Sequence, residues 1–136
     1  MSARGKARKR ALDVLYEADI RGLPPAEVLA AHAEQADHPL NPYATELVTG
    51  VSLHLDRIDE LLATYAQGWS VERMPVVDRN VLRIGTWEVL WGDVPEPVAI
   101  SEAVSLATEL STDESGPFVN GLLAQIATVK PRLALD

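Results

Sequence analysis

A chain of 136 residues, 47% hydrophobic and 24% charged, has the make-up of one globular domain over 1–136 rather than of a disordered segment. Charges or prolines break every run short of the roughly 18 apolar residues of a membrane span, no apolar segment follows the basic start MSARGKARKR as a signal peptide requires, and the absence of cysteine removes disulfides, thiolate metal sites and thiol nucleophiles. The net charge of −8 conceals a polarity: residues 1–10 carry Arg4, Lys6, Arg8, Lys9 and Arg10 with no acid, whereas the rest hold 7 basic against 20 acidic groups, a balance of −13.

The first helix is expected from about Arg4 to Asp19, where Ala7, Ala11, Val14, Leu15 and Ala18 share one face at about 100° per residue. Tyr16 projects off that stripe. A second helix opens at Pro24-Pro25 and runs to about Gln35. After the loop DHPLNP (37–42), Asn41 is placed to cap a third, with Pro42 as its first residue. Apolar residues then recur through Ala44, Val48, Val51, Leu55, Ile58, Leu62, Tyr65 and Trp69, a helical spacing that leaves one helix or two, broken near 54–56, both open. Ser70 is read as the cap of a short turn. Pro75 starts a helix to about Trp91 that is apolar around most of its circumference and so belongs at the centre of the fold. Helices at Pro97–Leu110 and Ser115–Val129 follow. With no strictly alternating segment, the fold class is all-α.

Three places carry chemistry. In the arm, Arg4, Lys6, Arg8, Lys9 and Arg10 cluster where a helix begins, against the helix dipole. Such an arm can bind a polyanion such as RNA, or dock on acidic surface, its own or a partner's. In STDESGPFVNG (111–121), Ser115 precedes Pro117, leaving backbone N–H groups free for a phosphate or a cap. Phe118 sits at the edge of its helix's apolar stripe, where it either stacks on an unpaired base or joins the core. Asp78 and Glu88 fall within the apolar sector of the 75–91 helix. Buried carboxylates need partners, so they reach water, pair with an arginine of another helix, or belong to a protein-binding surface.

Catalytic patterns are missing. His32, His38 and His54 lack metal-ligand spacing, and the chain holds no G-x-G-x-x-G, P-loop or G-x-S-x-G. No enzyme activity, cofactor or metal site is expected.

Three stretches, ARKRALDVLYEAD (7–19), VDRNVLRIGTWEVL (77–90) and VPEPVAISEAVSLATELSTDESGPFVNGLLAQI (94–126), together resemble the NusB family of bacterial transcription antitermination proteins. The last is the most specific, with V-P-x-x-V-A-I-x-E-A-V-x-L-A and the closing S-x-x-F-V-N-G. The resemblance implies about seven helices in two packed small bundles. It also implies binding of boxA-type single-stranded RNA from rRNA operon leaders, together with the ribosomal protein NusE, within an antitermination complex on RNA polymerase in the cytoplasm. Carried over by position, RNA contacts fall on Lys6, Arg8, Lys9, Arg10, Glu114 and Phe118, and the NusE-facing surface on Tyr16, Asp78 and Glu88. The chain departs from the family pattern at Gly116-Pro117, where a lysine or histidine usually precedes the phenylalanine, and at Glu114, usually aspartate. A related domain also begins some rRNA cytosine methyltransferases, but that chemistry needs a glycine-rich cofactor fold and a cysteine nucleophile, both missing here. A stand-alone relative of that domain, a protein–protein adaptor and a homodimer stay open as alternatives.

Overall fold

A computed structural model describes residues 2–35 and 40–135 of the chain. His38, Pro39 and part of the expected 37–42 loop lie outside the described residues. Among the described residues seven α-helices follow in order: α1 (Ala3–Arg21), α2 (Pro25–Gln35), α3 (Pro42–Leu53), α4 (Leu55–Tyr65), α5 (Val76–Trp91), α6 (Glu96–Leu110) and α7 (Ser115–Val129). Single 3₁₀ turns occur at Val71–Arg73 and Lys130–Arg132. No strand is found among the described residues.

Local chemistry sets most of the boundaries. The Ser2 side chain accepts the Gly5 N–H at 2.9 Å to cap α1, and Gly22 ends it in the left-handed region at φ 67, where only glycine avoids a steric penalty. Asn41 caps α3 through the Tyr43 N–H at 2.8 Å, with Pro42 in the first turn as expected. The long apolar pattern after Ala44 divides into two helices. His54 (φ −107, ψ 17) is the joint, and it stacks on Trp91 at 4.0 Å between ring centroids.

The same pattern overreaches at its end. The sequence reads as helical through Trp69, but α4 stops at Tyr65 and the chain turns at Gly68 (φ 83), leaving Trp69 47% exposed. Ser70 precedes the next 3₁₀ turn without making a side-chain cap.

Helices α1, α2 and α3 pack on one another, and α4, α5, α6 and α7 form a second group. The two groups meet chiefly where α5 lies against α1 and α3. Helix α5 is therefore central, as its nearly all-round apolar sequence predicts. Val81, Leu82, Ile84, Val89 and Leu90 are buried in it. Gly50 on α3 permits the close crossing with α5, since a Cβ there would overlap the Trp87 indole.

Two polar clusters tie α1 to α5. Near the end of α1, Asp19 receives Arg79 Nε at 2.8 Å, Asn80 Nδ2 at 3.0 Å and Arg83 Nη1 at 3.1 Å, while Arg83 also forks onto Asp59 of α4. Near its start, Arg8 meets Glu88. Ascending α1 thus corresponds to descending α5, so the two helices run antiparallel and their register is pinned at both ends.

Candidate nucleic-acid interface

The five cations of the arm do not share one environment. Helical geometry places Lys6, Lys9, Asp13, Tyr16 and Ile20 on the outer face of α1, opposite the buried stripe of Ala7, Ala11, Val14, Leu15 and Ala18. Arg8 falls on the inner side.

Arg8 is 2% exposed. Its Nε lies 2.9 and 3.1 Å from the two Glu88 oxygens and its Nη2 donates to Glu88 Oε2 at 2.9 Å. Glu102 Oε1 adds a longer contact at 3.5 Å. The Tyr43 hydroxyl donates to Glu88 as well. Burial opposes the Arg8 charge, but Glu88 outweighs it and holds the guanidinium pKa above its ordinary value. Burial and the Glu88 carboxylate together push the Tyr43 phenol up.

The two groups are thereby committed to each other. Arg8 is not presented to a phosphate, because its planar fork is consumed by a carboxylate inside the protein. Glu88, 1% exposed, likewise spends its carboxylate inside the protein. Of the readings the sequence left for Glu88, pairing with an arginine of another helix is the one realised. No linear pattern reveals a bond between residues 80 apart.

The outer cations are more accessible and partly neutralised. Lys9 Nζ pairs with Glu109 Oε1 at 2.8 Å, near the end of α6. Arg4 reaches Asp93 at 3.4 Å and lies over the Tyr43 ring, 4.4 Å from its centroid. Lys6 is exposed and Arg10 partly so. The arm thus docks in part on the protein's own acidic surface, one of the two uses its charge allows, while other cations stay open to solvent.

The Lys9–Glu109 pair brings the arm to the last turn of α6, just before the 111–118 segment. There Ser115, 2% exposed, is the first residue of α7. Its hydroxyl donates to Asp78 Oδ2 at 2.9 Å and lies 3.3 Å from the Thr112 N–H, which it accepts. Glu114 is exposed and gives α7 no side-chain cap. Phe118 is half-buried, with its ring centroid 6.0 Å from that of Trp69. It is neither a sealed core residue nor a free platform.

Asp78 is 4% exposed, and its anchoring by Ser115 turns it inward. Tyr16, 43% exposed, does remain on the surface, and Ile20, 59% exposed, stands one turn further along the same face. Ile20 and Trp69 were not singled out from sequence. Each is an apolar residue whose exposure depends on packing that periodicity alone does not reveal.

Comparison with known proteins gives a consistent picture. Residues 5–128 match the model of the NusB family. The transcription antitermination protein NusB of Arthrobacter sp. (strain FB24) is 59% identical over 134 residues, covering 98% of each chain. The solved structure of T. maritima NusB superposes with a TM-score of 0.81 at 33% identity, over 98% of this chain and 99% of that one. A chain of the crystal structure of antitermination factors NusB and NusE in complex with dsRNA superposes with a TM-score of 0.80 at 28% identity, over 93% and 96% of the two chains.

Proposed function

This chain belongs to the NusB family, and from that premise we propose that it is a non-enzymatic, RNA-binding transcription antitermination factor. It binds boxA-type single-stranded RNA of rRNA operon leaders together with NusE and acts on RNA polymerase elongation complexes in the cytoplasm, as one helical domain over 1–136. No helix among the described residues is long and apolar enough to cross a membrane.

One observation carries the RNA-binding reading. The solvent-facing cations Lys6, Lys9 and Arg10 lie on a helix that adjoins, through Glu109, the segment bearing Glu114 and Phe118. Cations on one helix meet a phosphate backbone, while the half-exposed Phe118 on the segment that follows Glu109 takes an unstacked base. Phosphate contacts position the strand, and base contacts supply sequence preference. Arg8, though buried, acts as a positioning residue, since its lock on Glu88 fixes the height and rotation of the arm.

NusE, a known companion of the NusB relative in the solved complex, is assigned to the surface around Tyr16 and Ile20. This surface presents an exposed aliphatic side chain beside an aromatic one whose phenol can hydrogen-bond, and tyrosine is among the residue types enriched where proteins associate.

The test is a titration of the full chain with a fluorescent boxA-like RNA, alone and with NusE. Tighter binding in the presence of NusE, together with strong salt dependence, supports the proposal. Association with NusE and no RNA binding under either condition would leave a protein–protein adaptor.

A further inference from the structure

Between Arg83 and Lys130 the chain holds two aspartates and five glutamates but no lysine or arginine. Three of the four acids in 93–110 meet cations of α1. Asp93 takes Arg4 at 3.4 Å, Glu102 lies 3.5 Å from Arg8 Nη1, and Glu109 takes Lys9 at 2.8 Å. The fourth, Glu96, lines the cleft between α6 and α7. Helix α6 packs on α5 and α7. Its seam with α1 is an open cleft of about 410 Å³, lined by Val94 and by Val98, which is 45% exposed. Ion pairs therefore bridge this seam over space that packing does not fill.

Resting on the RNA-binding reading above, we propose that Asp93 and Glu109, at the two ends of α6, are an autoinhibitory mask on the arm: they hold Arg4 and Lys9 in the free protein and yield them to an RNA strand. A carboxylate and a phosphate compete for the same cationic N–H donors. Both pairs are exposed, so each is weak enough to exchange and shifts an equilibrium by at most about 5-fold. Arg8 behaves differently. Its buried pair with Glu88 stays closed, so α1 keeps its place while the two outer pairs open. Lys6 and Arg10 form no ion pair among the described residues and are the unmasked landing points for the strand. The hydrogen bond to Glu109, with its charge, also holds the Lys9 ammonium above its ordinary pKa.

The experiment uses the full chain and a fluorescent boxA-like RNA of about 12 nucleotides, near the upper end of single-strand site sizes. Anisotropy is read at about 0.1 M salt, where exposed charges more than roughly 10 Å apart are screened. Asp93→Asn and Glu109→Gln each tighten binding about 2–5-fold, and the two gains multiply in the double variant. Glu96→Gln removes the same charge from the same helix, on the side facing α7, and leaves the affinity nearly unchanged. A second measurement needs no RNA: NMR of ¹³C-dimethylated lysines shows the Lys9 pKa falling toward its ordinary value in Glu109→Gln. Equal gains from Glu96→Gln and from the paired acids, no gain in variants of a protein that binds RNA, or an unmoved Lys9 pKa overturns the mask and leaves the RNA-binding reading intact. No binding by either the wild type or the double variant overturns that reading, and the mask with it.

Discussion

Arg8 and Glu88, 80 residues apart, form a bidentate ion pair in which both side chains are almost wholly removed from solvent. The pair sits where the basic arm meets the central helix. It converts a run of similar cations into one anchor and several ligands-in-waiting. Breaking a buried pair leaves an uncompensated charge, so Glu88→Ala should cost about 3–5 kcal/mol of unfolding free energy. Arg8→Lys should recover only part of the loss caused by Arg8→Ala, because an ammonium cannot reproduce the planar fork. Denaturant unfolding of the three variants measures this.

The second cluster predicts a pH dependence. Burial tends to raise the Asp19 pKa, but the hydrogen bonds from Arg79 and Asn80 and the charge of Arg83 outweigh it, and the net shift is downward. A carboxylate with a lowered folded-state pKa contributes stability that is present above its unfolded value, 3.8, and is lost as pH falls through the folded one. Thermal unfolding of the wild type should therefore drop steeply below about pH 4, the ordinary range for this group. In Asp19→Asn the decline should be shallower and start from a lower melting temperature at neutral pH. Parallel curves for the two proteins would assign the acid sensitivity to other groups.

Lys9 is held by Glu109, and exposed pairs of this kind are weak. Glu109→Gln should leave stability nearly unchanged. It should tighten RNA binding a few-fold at low salt, since a cation is released and a negative charge near the strand is lost. Equal affinities for the variant and the parent at low salt would place Lys9 away from the strand.

Much of this architecture was legible in the chain because the relevant signals are local. Asn41-Pro42 and Pro75 mark helix starts that the structure reproduces, and the apolar circumference of 76–91 identifies the central helix. Where the reading slipped, the cause was tertiary. Apolar spacing carried the expected helix on to Trp69, yet Gly68 turns the backbone after Tyr65 and gives Trp69 to the surface. Charge in the arm was legible, but not its division. A difference of one residue, a rotation of about 100°, puts Arg8 in the core and Lys9 outside. Asp78 and Glu88 were recognisable as acids in an apolar sector, but their partners, Ser115 and Arg8, are brought to them only by the packing of α5 against α7 and α1.

Tyr16 and Ile20 should matter to the protein partner and little to RNA. A joint Tyr16→Ala and Ile20→Ala variant should weaken NusE association by about 1–3 kcal/mol, the range for a few exposed anchors. Its affinity for RNA in the absence of NusE should be retained. Calorimetry with purified NusE reads the first effect and anisotropy the second. Unaltered NusE affinity would move the interface elsewhere on the surface.

The salt dependence of RNA binding tests the central claim most directly. Once Arg8 is set aside as buried, four arm cations remain, and at roughly −0.7 per phosphate contact the slope of log K against log salt should be about −3. Replacing Lys6, Lys9 and Arg10 together by alanine should flatten it to about −1, leaving one cation, with the helical circular dichroism signal unchanged. A folded triple variant that keeps the wild-type slope would contradict the account, because the strand would then lie against some other part of the protein.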